Sequence, residues 1–379
     1  MLGRDGARGA GAARDRSMNG RDLAHRRLRN LLLEGPPFAE PAEVVGWLGA
    51  VQSQDYGPAK WSVAARTGGV ADAAVDQAFA DGTILRTHVL RPTWHFVLPA
   101  DIRWMLELTA PRVHALNAYS YRQLGLDDAV LGRAAALLTA ALRGGNQLTR
   151  SEVGAVLDAA GIAASGFRLA YVLMHAELEG VICSGARNGR QHTYALLEER
   201  APQAASRSRE EALAALTLRY FTSHGPATAK DLRWWSSLTA ADVDQGLGLV
   251  ASRLQHETVD GVPYWSAASP PHPEATSPTV HLLQGYDEYV VGYSESKWVL
   301  DPGGTARSRS QQRALFNGVV ILDGQVAGHW KRTATRSSVV IEVALYEPFD
   351  DARTRALEAA VARHGNFLGL PATVETTTL

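Results

Sequence analysis

Residues 220–250 read YFTSHGPATAKDLRWWSSLTAADVDQGLGLV, and two spacings within them point to the architecture. Thr228 stands three residues before Asp231, and Thr239 three before Asp242. In a capping box, a threonine hydroxyl and an acid three residues on satisfy backbone donors that a helix start cannot satisfy from within. Two such starts in close succession require a short helix, a tight turn at Ser236-Ser237-Leu238 and a second helix. Preceded by ALAALTLRY and followed by an extended hairpin, that order is the plan of a winged helix-turn-helix.

The order recurs upstream. DLAHRRLRNLLL places Leu23, Leu28, Leu31 and Leu32 on one helical stripe. After the break at Pro36-Pro37, PAEVVGWLGAVQSQ is expected as a second helix with Val44, Val45, Trp47, Leu48 and Val51 inward. ILRTHVLRPTWHFVL is rich in β-branched and aromatic residues and reads as hairpin strands. A further copy opens with the capping box of Thr149 and Glu152 and continues through FRLAYVLMHAELEGVI, with Gly180 as the helix stop. Its hairpin, VICSGARNGRQHTYALLE, turns at Asn188-Gly189.

Beyond the Pro/Ser-rich linker SAASPPHPEATSP (266–278), TVHLLQGYDEYVVGY, NGVVILDGQVAGHWKR and SSVVIEVALYEPF read as strands. DDARTRALEAAVARHG reads as a closing helix. The expected fold is α+β: three tandem winged helix-turn-helix units over 18–125, 126–205 and 206–275, then a mostly antiparallel β domain over 276–379.

Composition narrows the function classes. At 46% hydrophobic and 20% charged residues, the 379-residue chain is globular and too long for one ordinary core. No apolar run approaches the ~20 residues of a membrane span. Residues 1–17 are rich in Gly, Ala and Arg and lack the apolar centre of a secretory signal. They are expected to be disordered, upstream of a start at Met18. One cysteine, Cys183, excludes a disulfide framework and a multi-cysteine zinc site, and is expected as a small buried residue of a cytoplasmic protein. A net charge of −1 argues against indiscriminate coating of nucleic acid. Between Lys297 and Arg336, however, seven Lys/Arg face two acids, a local basic face suited to one polyanion.

No P-loop, dinucleotide fingerprint, H-E-x-x-H or G-x-S-x-G is present. The twelve histidines do not gather at metal-ligand spacings, and neither a metal nor a cofactor is expected. That leaves VQSQD, residues 51–55, as the most unusual polar cluster: two glutamines, neither acid nor base, at an expected helix end.

Taken together, VVGWLGAVQSQDYGPAKWSVAAR, ILRTHVLRPTWHFVLPADIRWML, YFTSHGPATAKDLRWWSSLTAADV and the pair HLLQGYDEYVVGY and NGVVILDGQVAGHWKR resemble the AlkZ-like DNA glycosylases. This is a bacterial family with three tandem winged helices and a C-terminal β element, and the resemblance runs in order from about residue 22 onward. Its signature, two glutamines around a variable residue, is matched by Gln52-Ser53-Gln54; a sister branch carries Gln-x-Asp. The middle serine is smaller and more polar than the apolar residue expected there.

The resemblance implies hydrolysis of the N-glycosidic bond of N7-alkylated purines in double-stranded DNA, with Gln52 and Gln54 catalytic. In some members it also implies self-resistance against bulky alkylating natural products, including unhooking of crosslinks. The chemistry suits glutamine. N7-alkylguanine is already cationic, so its departure needs no general acid. What remains is a water beneath the sugar and an oxocarbenium-like transition state. A carbonyl that accepts from the water and presents partial negative charge serves both.

Around the pair, Asp55 reads as an N-cap or turn residue, with a general base as the rival reading. Arg86 and Arg91 are candidates for phosphate contacts, and Trp94 or Tyr56 for base stacking, against structural strand roles for each. Arg187, Asn188 and Arg190 at one hairpin tip, and Lys331 with Arg332 after another, are candidates for groove contacts or plain surface. YDEY (286–289) reads as structural at a domain joint, and the tryptophans of RWWSSL as a core pair. The competing functions are a non-catalytic winged-helix DNA-binding regulator and a protein that sequesters the free alkylating drug. A monomer is expected, because three winged helices in one chain replace the two-fold dimer of a repressor.

Overall fold

The computed structural model describes residues 19–202, 204–268, 278–306 and 318–379. The expected N-terminal extension, most of the linker and Arg307, Arg309 and Arg313 lie outside the described residues.

The chain opens with α1 (Gly20–Asn30), α2 (Pro41–Leu48), β1 (Val51–Gln52), α3 (Tyr56–Ala64) and α4 (Asp72–Asp81). The hairpin β2 (Leu85–His88) and β3 (Trp94–Val97) and the long α5 (Pro99–Gln123) follow. β1 joins the hairpin in an antiparallel sheet of order β1-β3-β2. The helix expected over 41–54 is therefore cut short. Gly49 turns to φ 83°, a conformation glycine adopts without steric cost, and β-branched Val51 then pairs with Phe96 and Gln52 with His95. Ser53 N–H extends the ladder to Trp94 O at 2.8 Å. The strand ends at Gln52 and the chain bends at Gln54, so the two glutamines leave the segment in different surroundings, Gln52 buried and Gln54 exposed.

Next come α6 (Asp128–Leu142), β4 (Leu148–Thr149), α7 (Arg150–Ala159), α8 (Gly166–Leu178), β5 (Ile182–Ser184), β6 (Thr193–Leu196) and the one-turn α9 (Leu197–Arg200). Thr149 and Glu152 form the expected capping box, and Gly180 at φ 66° follows the end of α8. This block packs its own core, with Leu131, Leu138, Leu157, Leu173 and Leu196 in one cluster. Cys183 is buried beside it, and burial pushes its thiol up to about 12.

α10 (Arg209–Ser223), α11 (Ala229–Ser236) and α12 (Ala240–Val250) precede the hairpin β7 (Leu254–Val259) and β8 (Val262–Ala267). Both capping boxes are present, and Ser237 makes the tight turn at φ 57°. This block has no core to itself. Leu213, Tyr220 and Trp235 cluster with Leu48, Val51 and Phe96 of the first block.

The C-terminal part is a five-stranded sheet of order β13-β12-β11-β10-β9. It comprises β9 (Val280–Leu283), the short helix α13 (Glu288–Val291), β10 (Gly318–Leu322), β11 (Gln325–Ala334), β12 (Val339–Leu345), α14 (Asp351–Leu368) and β13 (Ala372–Thr378). Two expectations are corrected here. Only the first residues of TVHLLQGYDEYVVGY are strand, because the Asp287 side chain accepts from Tyr289 N–H and starts a helical turn. Nor does α14 close the chain. It is the crossover that returns threonine-rich β13 parallel to β12, whereas the other strand pairs of the sheet are antiparallel. The result is a mixed α/β protein with an antiparallel-rich C-terminal sheet. Among the described residues, no helix is long and apolar enough to cross a membrane.

Buried polar contacts lock the sheet onto the first block. The Arg66 guanidinium grips Asp287 bidentately at 2.7 and 2.8 Å and donates to Leu31 O. Trp61 Nε1–H reaches Leu282 O at 2.6 Å, and the Tyr289 hydroxyl donates to Gly324 O at 2.6 Å. Asp287 of YDEY thus holds a joint between blocks, while the Tyr289 hydrogen bond stays within the C-terminal part.

Candidate functional site

β1 brings Gln52 to a position only 6% exposed, held from two directions. Its backbone N–H donates to Glu288 Oε1 of α13 at 2.8 Å. Its side-chain carbonyl faces the Arg91 guanidinium at 3.5 Å, the long limit of a hydrogen bond. Glu288 is fully buried, and its other oxygen accepts from Trp235 Nε1 at 2.9 Å and His224 Nε2 at 3.3 Å. Burial pushes this carboxyl's pKa up; the His224 hydrogen bond and nearby positive charge outweigh it and hold Glu288 at about 2. Burial also keeps His224 below the ordinary histidine range, and lowers His95 to about 3 with Arg91 adding to the effect. Both imidazoles are therefore neutral at pH 7, and His224 presents Nε2–H to Glu288.

Gln54 is exposed, and its carbonyl accepts from Trp94 N–H at 3.3 Å. Asp55 stands at the N-cap position of α3, exposed, with no capping hydrogen bond from its side chain. It lines a separate cavity of about 180 Å³ together with Trp61, Tyr286, Trp330, Lys331 and Arg332.

Gln52 opens instead onto a cleft of about 760 Å³. Arg91, Arg112, Lys230, Arg233 and Lys297 line it, with no Asp or Glu among the lining residues. Lys230 is paired with Glu295, whereas Arg112, Arg233 and Lys297 have no ion-pair partner among the described residues. A cleft walled by one sign of charge concentrates a field that attracts a polyanion. Exposed Trp234 (53%) and Leu116 (51%) supply apolar surface beside the cations. Successive helix residues are about 100° apart, so the RWW tryptophans cannot share one face. Trp235 is in the core as expected. Trp234 is not: its ring is at the cleft and its Nε1–H reaches Val291 O at 3.3 Å.

Arg86, expected at phosphates, is buried. Its Nε and Nη2 both donate to Ser53 O at 3.1 Å, and its guanidinium lies 4.3 Å from the centre of the Trp94 ring. Trp94 is half-buried, with Nε1–H on Glu177 Oε1 at 3.3 Å. Both residues brace the Gln52-Ser53-Gln54 segment, Arg86 through the Ser53 carbonyl and Trp94 through the Gln54 side chain. Tyr56 is buried too, donating its hydroxyl to Asp76 at 2.7 Å under the Arg187 guanidinium. Arg187 also donates to Arg190 O at 2.7 Å, and Arg190 is exposed at the hairpin tip. Lys331 pairs with Glu342 at 2.8 Å, and Arg332 stands 3.1 Å from His364 Nε2. Both line the smaller cavity and not the cleft. Of the sequence-expected residues, the structure gathers Gln52 and Arg91 at the cleft and sets Arg86, Trp94 and Gln54 around them.

Sequence reasoning missed Glu288, Arg112, Lys230, Arg233 and Trp234. The signal for Glu288 was an acid inside an apolar run, and for Trp234 an aromatic that helical geometry forbids from the core. Nothing local marks the cations, which converge from separate blocks.

The chain matches the family model described as DNA glycosylase AlkZ-like over residues 45–367. It is 26% identical over 372 residues to the interstrand DNA cross-link repair glycosylase of Streptomyces sahachiroi, covering 91% of this chain and 96% of that protein. The solved structure of the Streptomyces sahachiroi DNA glycosylase AlkZ shares the fold, with a TM-score of 0.78 at 23% identity over 95% of this chain and 100% of that one. On the breadth of the family match, the chain belongs to the AlkZ-like DNA glycosylase family.

Proposed function

We propose that this protein hydrolyses the N-glycosidic bond of N7-alkylated purines in double-stranded DNA, bulky adducts and crosslinks among them, with Gln52 holding the attacking water. The observation that carries the reading is the placement of Gln52: a neutral carbonyl at the wall of a cationic cleft, with its backbone pinned to a buried, ionised carboxylate. The cleft neutralises DNA phosphates. Arg91 occupies one lone pair of the Gln52 carbonyl and leaves the other for the water. Gln54, tied through its carbonyl to Trp94 N–H, turns its amide NH2 to the sugar–phosphate of the damaged strand.

As the bond between C1′ and N9 breaks, its electron pair goes to the purine and cancels the N7 charge. The sugar takes on oxocarbenium character, and the Gln52 carbonyl, with the negative potential of Glu288 behind it, favours that charge. Water oxygen bonds to C1′ and releases its proton to solvent. The products are an abasic site and a neutral alkylpurine.

In this reading residues 18–125, 126–205 and 206–275 are three winged helices that surround the duplex as a monomer, and 276–379 is the β domain that supplies Glu288. Interstrand cross-link repair, the activity named for the Streptomyces relative, is extended to this chain, as unhooking of the crosslink, on the breadth of the cleft. A bulky lesion can be reached there without the full extrusion that a closed pocket demands.

Trp234→Ala is expected to weaken DNA binding about tenfold, the usual worth of one aromatic contact, without lowering Tm, because the ring is largely outside the core. Arg233→Ala should reduce the slope of log affinity against log salt by about 1. Fluorescence anisotropy over a salt series measures both. The activity itself is tested by incubating the protein with DNA carrying N7-methylguanine or a bulky N7 adduct and then treating with heat or alkali. Strand breaks at the adduct are expected. Tight binding to one defined sequence, with no break at any N7 adduct, would overturn the reading in favour of a regulator.

A further inference from the structure

Outside the cleft, three metal-ligating side chains meet. His114 of α5 and His175 of α8 face each other with ring centroids 4.9 Å apart. Glu179, at the C-cap of α8, brings Oε1 to 2.9 Å from His114 Nε2. One ligand atom from each residue lies within 4.8 Å of the other two. His175 and Glu179 are one helical turn apart, but His114 arrives only through the packing of α5 on α8.

Hydrogen bonding does not account for this arrangement. His114 Nε2 is buried, and despite the nearness of Glu179 no hydrogen bond of proper direction joins them. Nδ1 of the same ring is engaged by the Tyr121 hydroxyl at 3.0 Å. An imidazole held through one nitrogen, with the other close to a carboxylate but out of line for a hydrogen bond to it, has the posture of a metal-bound histidine. The His175 ring makes no hydrogen bond among the described residues; it packs against His114 and Tyr121.

We propose that His114, His175 and Glu179 bind one divalent ion of the zinc class, which staples α5 to α8. Two imidazoles and a carboxylate are borderline donors that select zinc over magnesium or calcium, whose sites are built from oxygen. Bonds of about 2.0–2.2 Å require the 2.9 Å pair of His114 and Glu179 to spread and any pair near the 4.8 Å limit to close in, movements to which half-exposed Glu179 contributes by turning. Solvent completes the fourth position. The ion fixes two elements that frame the candidate site. α5 carries Arg112 and Leu116 at the cleft, and α8 carries Glu177, which accepts from Trp94 Nε1. None of the three ligands lines the cleft, so the ion takes no part in base release.

The full chain, stripped with a chelator, is titrated with zinc and, separately, with cobalt and magnesium. Expected are one bound zinc per chain, visible absorption of four-coordinate cobalt, and a Tm rise of about 3–6 °C at zinc well above Kd. Magnesium should give no rise. His175→Ala and Glu179→Gln should each lose the absorption and the Tm rise. The second variant guards against misfolding, because Glu179 is half-exposed. Equal zinc-induced shifts in wild type and both variants, or the absence of cobalt absorption in wild type, would overturn the proposal.

Discussion

Gln52→Ala is expected to slow base release from an N7-adducted duplex about 100- to 1,000-fold in single-turnover measurements, while DNA affinity stays within about twofold. The asymmetry follows from burial. Gln52 is 6% exposed and its side chain is one of many groups at the cleft, so its loss removes little binding surface but removes the acceptor that orients the water. Gln54→Ala, which loses an exposed side chain already tied to Trp94 N–H, should cost about tenfold. Asp55→Asn is the decisive control, since a carboxylate base and a turn residue make opposite demands. Asp55 lines the smaller cavity and not the cleft, so its amide variant should keep the rate within about twofold. An Asp55→Asn rate as low as that of Gln52→Ala would sink the glutamine mechanism.

Glu288→Ala should destabilise the protein by about 3–5 kcal/mol, because it strands three buried donors: Gln52 N–H, Trp235 Nε1–H and His224 Nε2–H. Glu288→Gln keeps the shape and one acceptor, and should cost less. The two variants also separate on acid titration. The folded carboxyl is held at about 2, below its ordinary value of 4.5. A depressed folded pKa contributes stability that is fully present above the unfolded value and is lost as pH falls through the folded one. Wild type should therefore lose stability between about pH 4.5 and 2 by more than Glu288→Gln does, measured as denaturation midpoints across that window. Parallel midpoint curves for the two proteins would show that Glu288 is not ionised in the core. Because Glu288 supports the Gln52 backbone, the glutamine variant should also lower single-turnover rate at pH 7 while remaining folded.

Much of the local architecture is legible in the sequence. The capping boxes at Thr149, Thr228 and Thr239 and the stop at Gly180 each stand in the structure where their spacing put them, and the turn expected at Asn188-Gly189 falls one residue on, at Gly189-Arg190 between the paired Asn188 and Gln191. Each rests on backbone donors and dihedral preferences within a few residues, and those interactions are written in contiguous sequence. The reading failed where a local pattern had two solutions. VQSQ fits a helix end as well as an edge strand, and the choice fell to Gly49 and to the pairing of Val51 with Phe96. YDEYVV fits a strand until Asp287 and Glu288 must be buried, when their need for partners selects a helical turn.

The sequence by itself therefore determined the helix starts and turns and singled out the two glutamines as the polar cluster to explain. Only the tertiary structure decided what surrounds them. Glu288 reaches Gln52 across 236 positions, and Arg91, Arg112, Arg233 and Lys297 converge on one cleft from separate elements. Arg86 went the other way, from expected phosphate contact to a buried brace. The reason is physical. A buried charge must find its partners wherever packing brings them, and packing pairs surfaces by shape and apolarity with no regard to distance along the chain.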